Sequence, residues 1–395
     1  MGWQVRDGHW DVVIVGGGVI GSAIAYFLLR EPSFRGTVAV VERDPSYRTA
    51  SSALSASSIR QQFSTPTNIA MSRFGIGFLR DLRTHLSVDG EVPEIGLRTP
   101  GYLFLASPKG EDVMRRNHAV QVAEGVPVAL LSPDALTARF PWMSAEGLAL
   151  ASLGLADEGW FDGYGLLQAF RRKARALGAA YIEAEVTGLE ASRGRIEAVQ
   201  LSDGRRLVCG AVVNAAGPHA RRVAAMAGVP LPVEARKRCV FVFDCREPLP
   251  GCPLVIDPSG VWFRPEGAAF IAGAPPPADP EDPDLAVDHG LWEEILWPAL
   301  AARVPAFEAV KVTGAWAGHY EYNTVDHNAI LGPHPEIANF LFANGFSGHG
   351  LQQSPAVGRG IAELLAHGTY RTLDLSVFGY DRLAAGRHVR ELNVV

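Results

Sequence analysis

The sequence predicts an α/β protein, in which a doubly wound, Rossmann-like domain is joined to a second, α+β domain with a mostly antiparallel sheet. Two observations predict this fold class. Residues 11–42 follow the order strand, glycine turn, helix and strand, which is the βαβ unit that opens a doubly wound domain. Strand-like runs such as RCVFVFD, VWFRPEG and AAFIAGA then follow one another between residues 236 and 316.

The remaining elements follow in chain order. Apolar residues recur at helical spacing from residue 67 to residue 85, and Pro66 before them is a plausible helix start. The run TPGYLFLAS predicts a strand that leaves the first domain. The α/β pattern returns with a helix at 164–177 and a strand at 180–186, and Asp203-Gly204 further on is a hairpin signal.

These transitions place the domain boundaries. The first, nucleotide-binding domain is predicted to comprise residues 1–95, 157–232 and 323–395, because a late strand, a glycine loop and a helix return the chain to it. The second, substrate domain is predicted to comprise residues 96–156 and 233–322.

Composition and charge exclude several classes of function. The 395 residues are 48% hydrophobic and 20% charged, as in soluble globular proteins, and the net charge of −6 without a basic run argues against a nucleic-acid partner. Residues 12–29 carry no charge, but their glycines fit a strand, a turn and a buried helix, so no membrane span is expected. The four cysteines form no CxxC pair, and no metal site is expected.

The first glycine turn carries a dinucleotide-binding signature. Gly16, Gly18 and Gly21 satisfy GxGxxG, whose glycines make the tight turn, admit a pyrophosphate and let helix and strand pack closely. The N-terminus of the following helix then faces the diphosphate. Glu42 ends the next strand, where its carboxylate is placed to accept hydrogen bonds from ribose hydroxyls. This unit by itself leaves FAD and NAD open.

Two later segments bring the chain back to the dinucleotide. VVNAAGPHA, at residues 212–220, is a hydrophobic strand that ends in small residues. GFSGHGLQQ, at residues 345–353, places three glycines before a helix and indicates that a ligand approaches the backbone closely. A serine nucleophile elbow is not favoured, because it needs glycine two residues after the serine, and that position after Ser347 is His349.

In their order and spacing these segments resemble the FAD-dependent D-amino acid oxidase superfamily, in the branch of glycine and sarcosine oxidases and D-amino acid dehydrogenases. The resemblance rests on VVIVGGGVIGSAIAYFLL, on the pair Glu42-Arg43, on VVNAAG and on GFSGHGLQQSPAVGRGIAEL, and it covers essentially the whole chain. Segments such as SSIRQQFS and VIDPSGVWFRPEG are most similar to the FAD-dependent oxidoreductase domain-containing protein 1 group. FAD is therefore the cofactor that the resemblance implies.

The resemblance also implies which residues hold FAD. The C-terminal glycine loop would line the flavin, and helix N–H groups behind it would stabilise negative charge on the reduced ring. His319 lies at about the place where sarcosine oxidases bond flavin covalently, and a dissociable, non-covalent FAD is expected here. The implied cofactor-binding residues are Gly16, Gly18, Val19, Ile20, Gly21, Glu42, Arg43, Ser51, Ser52, Val186, Ala216, Gly217, Gly318, Gly348, His349, Gly350, Leu351 and Gln352.

The substrate site departs from the family pattern. Family enzymes often anchor a substrate carboxylate with an arginine shortly after the strand that ends in WAG, and this position is Tyr320 here. Sarcosine oxidases add a lysine in the C-terminal loop, and this position is Gln352 here. Arg60 matches a substrate-binding arginine of sarcosine oxidases, and its planar fork suits a carboxylate, with a structural ion pair as the alternative. The expected catalytic residues are Arg60, Tyr320, His349 and Gln352, and the expected substrate-binding residues are Arg60, Arg238, Arg264 and Tyr320.

The functional hypothesis is FAD-dependent oxidation of an amine or an amino acid, N-methyl amino acids included. Hydride would pass to flavin N5, and water would hydrolyse the resulting imine. Two alternatives stay open: a flavoprotein that binds a partner during assembly of a respiratory complex, and an FAD hydroxy-acid oxidoreductase. Since the sequence shows no basic, serine-rich transit segment, a cytoplasmic protein of bacterial origin is expected.

Overall fold

The computed structural model describes residues 8–392, so the predicted ends of the first domain, 1–7 and 393–395, lie outside the described residues. The strands are β1 (His9–Val15), β2 (Val38–Glu42), β3 (Ser58–Ile59), β4 (Tyr102–Ala106), β5 (Val128–Leu131), β6 (Leu150–Gly154), β7 (Gly159–Trp160), β8 (Ala180–Glu183), β9 (Val186–Ser192), β10 (Arg195–Leu201), β11 (Arg206–Asn214), β12 (Val233–Asp244), β13 (Leu254–Ile256), β14 (Trp262–Glu266), β15 (Ala269–Gly273), β16 (Lys311–Asn323), β17 (Ile330–Pro333) and β18 (Phe340–Asn344).

The helices connect and cover these strands. They are α1 (Val19–Arg30), α2 (Ser51–Leu54), α3 (Pro66–Arg80), α4 (Leu82–Leu86), α5 (Glu111–Ala123), α6 (Pro133–Arg139), α7 (Gly163–Ala176), α8 (Ala220–Ala225), α9 (Trp297–Arg303), α10 (Gly350–His367) and α11 (Asp381–Ala384). A π-helical turn spans Trp292–Leu296, and 3₁₀ turns span Gly217–His219, Pro305–Ala309 and Ser376–Phe378.

The first sheet has the strand order β17-β18-β11-β1-β2-β8, and β10 and β9 extend from β11. β1 pairs in parallel with β2 and β11, so its carboxyl end, which leads into the glycine turn, lies in the middle of the sheet. Helix α1 packs against α7 and α10, and its residues from Val19 to Leu28 are all buried. A helix that is apolar on every side requires such cover, and this explains the uncharged run at residues 12–29.

The second sheet has the strand order β16-β12-β15-β14-β13-β4-β6-β5 and is antiparallel except for the pair β4 and β13. Its long strands β12 and β16 pair from Val233 opposite Asn323 to Asp244 opposite Lys311. Aromatic residues such as Phe241, Phe263 and Phe307 fill the core beside it. The predicted fold class, a doubly wound domain joined to a mostly antiparallel one, is confirmed.

Two predicted elements differ from the observed ones. The single helix expected over 67–85 is divided into α3 and α4, because the Asp81 side chain accepts a hydrogen bond from Thr84 N and starts a new helix. The strand expected over 180–186 ends at Glu183, since Val186 already belongs to a strand that pairs with β10. The predicted hairpin is present, with Gly204 at a φ of +86° between β10 and β11.

The two sheets draw on alternating parts of the chain. Strands of the first sheet come from 9–42, 180–214 and 330–344, and those of the second from 102–154 and 233–323. The domain boundaries derived from the sequence stay a prediction. Within residues 8–392, no helix has both the length and the apolar character that a bilayer crossing requires.

Candidate functional site

The glycine turn after β1 packs so tightly that it has no space for side chains at Gly16 and Gly21. Gly16 has a φ of +100°, and a Cβ there would lie 2.3 Å from the carbonyl oxygen of Ala215. Gly21 sits inside α1, where a Cβ would lie 1.9 Å from Gly16 O. Gly21 therefore serves helix–strand packing, as expected for the third glycine of the signature, while the first glycine makes the turn.

A cavity of about 320 Å³ begins at this turn. Glu42 borders it and accepts hydrogen bonds from Gly17 N at 2.8 Å and from Asp44 N at 2.9 Å, which fixes the carboxylate at the strand end. Among the predicted cofactor-binding residues, those that line this cavity are Gly16, Gly18, Val19, Ile20, Glu42, Arg43, Ser51, Ser52, Val186, Ala216 and Gly217.

The hydroxyl groups beside α1 fit a diphosphate. Ser52 Oγ accepts a hydrogen bond from Val19 N at 3.1 Å and so lies at the helix N-terminus. Ser51 Oγ is buried and has no hydrogen-bond partner within residues 8–392. An unpartnered hydroxyl at a helix N-terminus suits an anionic oxygen, so these residues fit the dinucleotide that the sequence predicts.

His219 lies in the same cavity; it was not among the predicted site residues, although it ends the segment VVNAAGPH that was expected to return to the dinucleotide. Its Nε2 is 2.7 Å from Arg43 Nη2. Burial and the nearby Arg43 lower the pKa of His219 to about 4, so the neutral ring accepts a hydrogen bond from the guanidinium. Both residues of this contact line the cavity, as Glu42 does.

A second cavity of about 90 Å³ shares Val19, Ile20, Ser51 and Ser52 with the first. The predicted residues Gly318, Tyr320, Gly348, Gly350 and Leu351 line it. Gly348 has a φ of +97°, and a Cβ there would lie 2.5 Å from Cε2 of Tyr320. The glycine loop is thus packed against the Tyr320 ring, and this explains one of its glycines without a ligand.

Three of the predicted catalytic residues, Arg60, His349 and Gln352, meet in a buried cluster. Arg60 Nη2 lies 2.8 Å from His349 Nε2, and Gln352 Oε1 accepts hydrogen bonds from Arg60 N at 2.9 Å and Ser72 Oγ at 3.2 Å. Burial and Arg60 lower the pKa of His349 well below its ordinary value, so its ring is neutral. An amide oxygen satisfies two donors at this place, whereas a lysine could satisfy neither.

The Arg60 side chain is 1% exposed, and its guanidinium lies 4.6 Å from the centre of the Phe63 ring. Arg60, His349 and Gln352 do not belong to the lining of either cavity described above. The structure therefore brings these three residues together beside the cavities, whereas Tyr320 lines the second cavity.

The other two predicted arginines lie in different places. Arg238 lines the second cavity, 5.0 Å from the centre of the Tyr320 ring, and it is paired with Asp279. Arg264 is buried, donates to Ala56 O at 2.7 Å and lines an open groove of about 1160 Å³, which shares Ser55 and Ala56 with the second cavity. Arg238 thus lies with Tyr320 in the wall of the second cavity, whereas Arg264 lines the groove.

Glu321 was missed by the sequence analysis, although it lines both cavities. Its Oε2 accepts a hydrogen bond from Gly345 N at 3.1 Å. Burial raises the pKa of this carboxyl to about 8, so it carries a proton at neutral pH. The available signal was an acidic residue inside an otherwise aromatic strand segment, HYEYN, but one sequence does not tell which side of the strand it faces.

A second missed carboxyl, that of Glu158, lies next to the Arg60 cluster. It is fully buried and accepts hydrogen bonds from the backbone of Gln61 and from the side chain of Gln62 at 2.7 Å. Burial raises the pKa of Glu158 to about 7.

Within residues 8–392, no group of His, Cys, Asp and Glu side chains is arranged to hold a metal ion.

Comparisons with curated proteins give close animal relatives. The chain is 47% identical to FAD-dependent oxidoreductase domain-containing protein 1 of Xenopus laevis, over 98% of this chain and 85% of that protein. It is 44% identical to the Bos taurus protein of the same name, over 96% of this chain and 86% of that protein. Proteins of this name from Mus musculus and Drosophila melanogaster are 41% and 38% identical. The expectation of a bacterial, cytoplasmic protein is therefore wrong, because these strong matches are all to animal proteins.

More distant relatives include enzymes of known structure. Glycine oxidase of Geobacillus kaustophilus is 30% identical, over 95% of this chain and 97% of that protein. The crystal structure of L-proline dehydrogenase from P. horikoshii superposes with a TM-score of 0.84, at 26% identity, over 96% of this chain and 99% of that chain. The family model described as FAD dependent oxidoreductase matches residues 11–364. The chain belongs to this family of FAD-dependent oxidoreductases, which is related to the amino acid and sarcosine oxidases.

Proposed function

We propose that the protein oxidises the C–H bond next to the nitrogen of an amino acid or N-methyl amino acid. The observation that carries the proposal is the position of Arg238 beside Tyr320, in a cavity that continues from the dinucleotide cavity. Relatives whose names state their substrates, glycine oxidase and sarcosine dehydrogenase, support an amine substrate. FAD, when bound, would supply the hydride acceptor.

The residues of this chain would position the reacting groups. The N-terminus of α1, with Ser51 and Ser52, would hold the diphosphate, and Glu42 the ribose. Arg238 would bind the substrate carboxylate through its planar fork, and the Tyr320 ring would close the cavity beside it. Released imine would be hydrolysed by water. Positioning and the exclusion of water are thus the main contributions of the protein.

The matched variants Arg238→Gln and Arg264→Gln test this assignment. Anaerobic mixing of the flavin-loaded protein with sarcosine, other N-methyl amino acids and D- or L-amino acids should bleach the visible flavin band for at least one of them. Arg238→Gln should then raise KM for that amino acid with unchanged flavin content, whereas Arg264→Gln, at a residue that lines neither cavity, should not raise it. Failure of all these amines to reduce the flavin contradicts the proposal.

We also propose that FAD is held without a covalent bond. His319 lines both cavities, and its Nε2 is buried without a hydrogen-bond partner in the described chain, so it is the residue to test. Acid precipitation should release all flavin into the supernatant. Flavin that stays with the precipitated chain, and is lost in a His319→Ala variant, would contradict this.

A second candidate function is that of an assembly factor for a respiratory complex, in which the redox site is unused. Two observations favour it. The arginine and the lysine that family enzymes use to anchor a substrate carboxylate are replaced here by Tyr320 and Gln352. In addition, Arg238 is paired with the carboxylate of Asp279. Recovery of respiratory subunits with the tagged protein, together with no turnover on any amine, would favour this function. An FAD hydroxy-acid oxidoreductase is distinguished in the same anaerobic assay by flavin reduction with lactate or 2-hydroxyglutarate.

A further inference from the structure

A proline-rich acidic segment crosses both cavities. This segment, residues 275–288, is called the strap; it joins β15 to the π-helical turn and reads PPPADPEDPDLAVD. Pro283 and Leu285 line the first cavity, and Pro275 lines the second. The strap carries five carboxylates and no basic residue, so its position depends on cations elsewhere in the fold.

Ion pairs tether the strap to β12 of the second sheet and to α8. Asp279 pairs with Arg238, Glu281 with Arg221 at 2.9 Å, and Asp282 with Lys237 at 2.8 Å. The side chain of Arg238 is 13% exposed, against 20% for Lys237 and 49% for Arg221. Because solvent weakens exposed pairs, the tether at Arg238 is the one with the largest influence on the strap.

The contact between Asp279 and Arg238 has the geometry of a bound carboxylate. The two carboxylate oxygens accept hydrogen bonds from Nη1 at 2.7 Å and from Nη2 at 2.8 Å, a parallel fork. Nη1 also donates to Lys237 O, and Nε is buried without a partner within residues 8–392. Asp279 therefore takes the end-on pair of donors, Nη1 and Nη2, and leaves Nε as a donor without a partner in the described residues.

We infer that Asp279 is a built-in competitor for a carboxylate ligand at Arg238, so that binding of a carboxylate displaces the strap. The inference rests on the proposed function, because it concerns how a substrate carboxylate reaches this cavity. A ligand must replace Asp279 at the fork before it gains the full interaction, and its apparent affinity falls accordingly. Displacement of the strap also opens the first cavity, since Pro283 and Leu285 leave with it.

The competition predicts a selective gain of affinity when Asp279 loses its charge. Asp279→Asn keeps the shape of the side chain, and Glu281→Gln removes the same charge from the same strap at a site that pairs with Arg221. Binding of benzoate and of benzamide to the flavin-loaded proteins is measured by calorimetry, without turnover. Asp279→Asn should bind benzoate about tenfold more tightly than wild type, Glu281→Gln should stay within about twofold, and benzamide should respond to neither.

A double variant and a second measurement complete the test. Arg238→Gln combined with Asp279→Asn should lose the gain, because the cation that both carboxylates use is absent. In the wild type, saturating benzoate should speed hydrogen exchange of the Asp282 amide, which donates to Ala235 O at 2.9 Å and reports on the strap.

The outcomes separate this inference from the proposed function. The inference is overturned if wild type and Asp279→Asn bind benzoate equally well, or if the gain persists in the double variant without Arg238. It is also overturned if benzoate leaves hydrogen exchange at Asp282 unchanged, or if none of the proteins binds benzoate. If no amine reduces the flavin but Asp279→Asn still gains benzoate affinity, the competition stands and only the proposed reaction fails.

Discussion

Replacement of Glu321 by Gln should change how the stability of the flavin-free protein depends on pH. Glu321 lies in the wall of both cavities, and burial raises its pKa from an ordinary 4.5 to about 8. The folded protein therefore binds this proton more tightly than the unfolded chain does. By linkage, the free energy of unfolding falls as the pH rises through the interval between these two values, and the loss is complete above about pH 8.

The size of the effect follows from the proton count. One proton held by the folded state alone changes the free energy of unfolding by at most about 1.4 kcal/mol per pH unit. Over about two pH units inside the interval, Glu321 should contribute a loss of roughly 2–3 kcal/mol. Gln has nearly the same shape and no titrating proton, so the variant should lack this loss.

Urea unfolding of both proteins at about pH 5.5 and 7.5 measures the difference. Glu158, whose pKa is also raised, adds a loss in the same direction to wild type and variant alike, so the comparison between the two proteins isolates Glu321. The exposed Glu336, replaced by Gln, is the matched control and should behave like wild type. If wild type and Glu321→Gln lose the same free energy between the two pH values, Glu321 is not protonated in the folded protein and the argument from burial fails.

Two further substitutions have expected outcomes. Gly348→Ala should lower flavin content and destabilise the protein by about 1–3 kcal/mol, because the new side chain combines a φ of +97° with a clash against Tyr320. Thermal unfolding measures this loss. Gly228→Ala, at a φ of +72° in open space, is the control that shows the backbone contribution alone. Arg382→Met should lower the free energy of unfolding in urea by about 3–5 kcal/mol and leave the flavin spectrum unchanged. The reason is that Asp326, which pairs with Arg382 at 2.8 Å, would be left charged and buried without this partner. A loss below about 1 kcal/mol would contradict this.

Local patterns in the sequence were sufficient to predict the βαβ unit at residues 11–42. The order of strand, glycine turn and helix, the acid at Glu42 and the hairpin at Gly204 are all encoded within a few residues, because turn geometry and hydrophobic period are local properties. The break between α3 and α4 was missed, although the capping residue Asp81 is visible in the sequence, since the apolar spacing continues across it.

The candidate site was predictable in part. Most of the expected cofactor-binding residues line one of the two cavities, because the glycine motifs that mark them are close-approach motifs. The contribution of each arginine could not be predicted, because it depends on partners from distant segments. Arg60 contacts a histidine 289 residues away, and Arg238 is paired with Asp279 of the strap.

The sequence alone thus determined the fold class and the family, which are written in short motifs and in the alternation of strands and helices. Only the tertiary structure decided which charged groups face the cavities. It placed Glu321 in their walls and buried Arg60 beside them, and it set Asp279 on the fork of Arg238. The physical reason is that burial and pairing of a charge are properties of three-dimensional neighbours, which come from segments far apart in the chain.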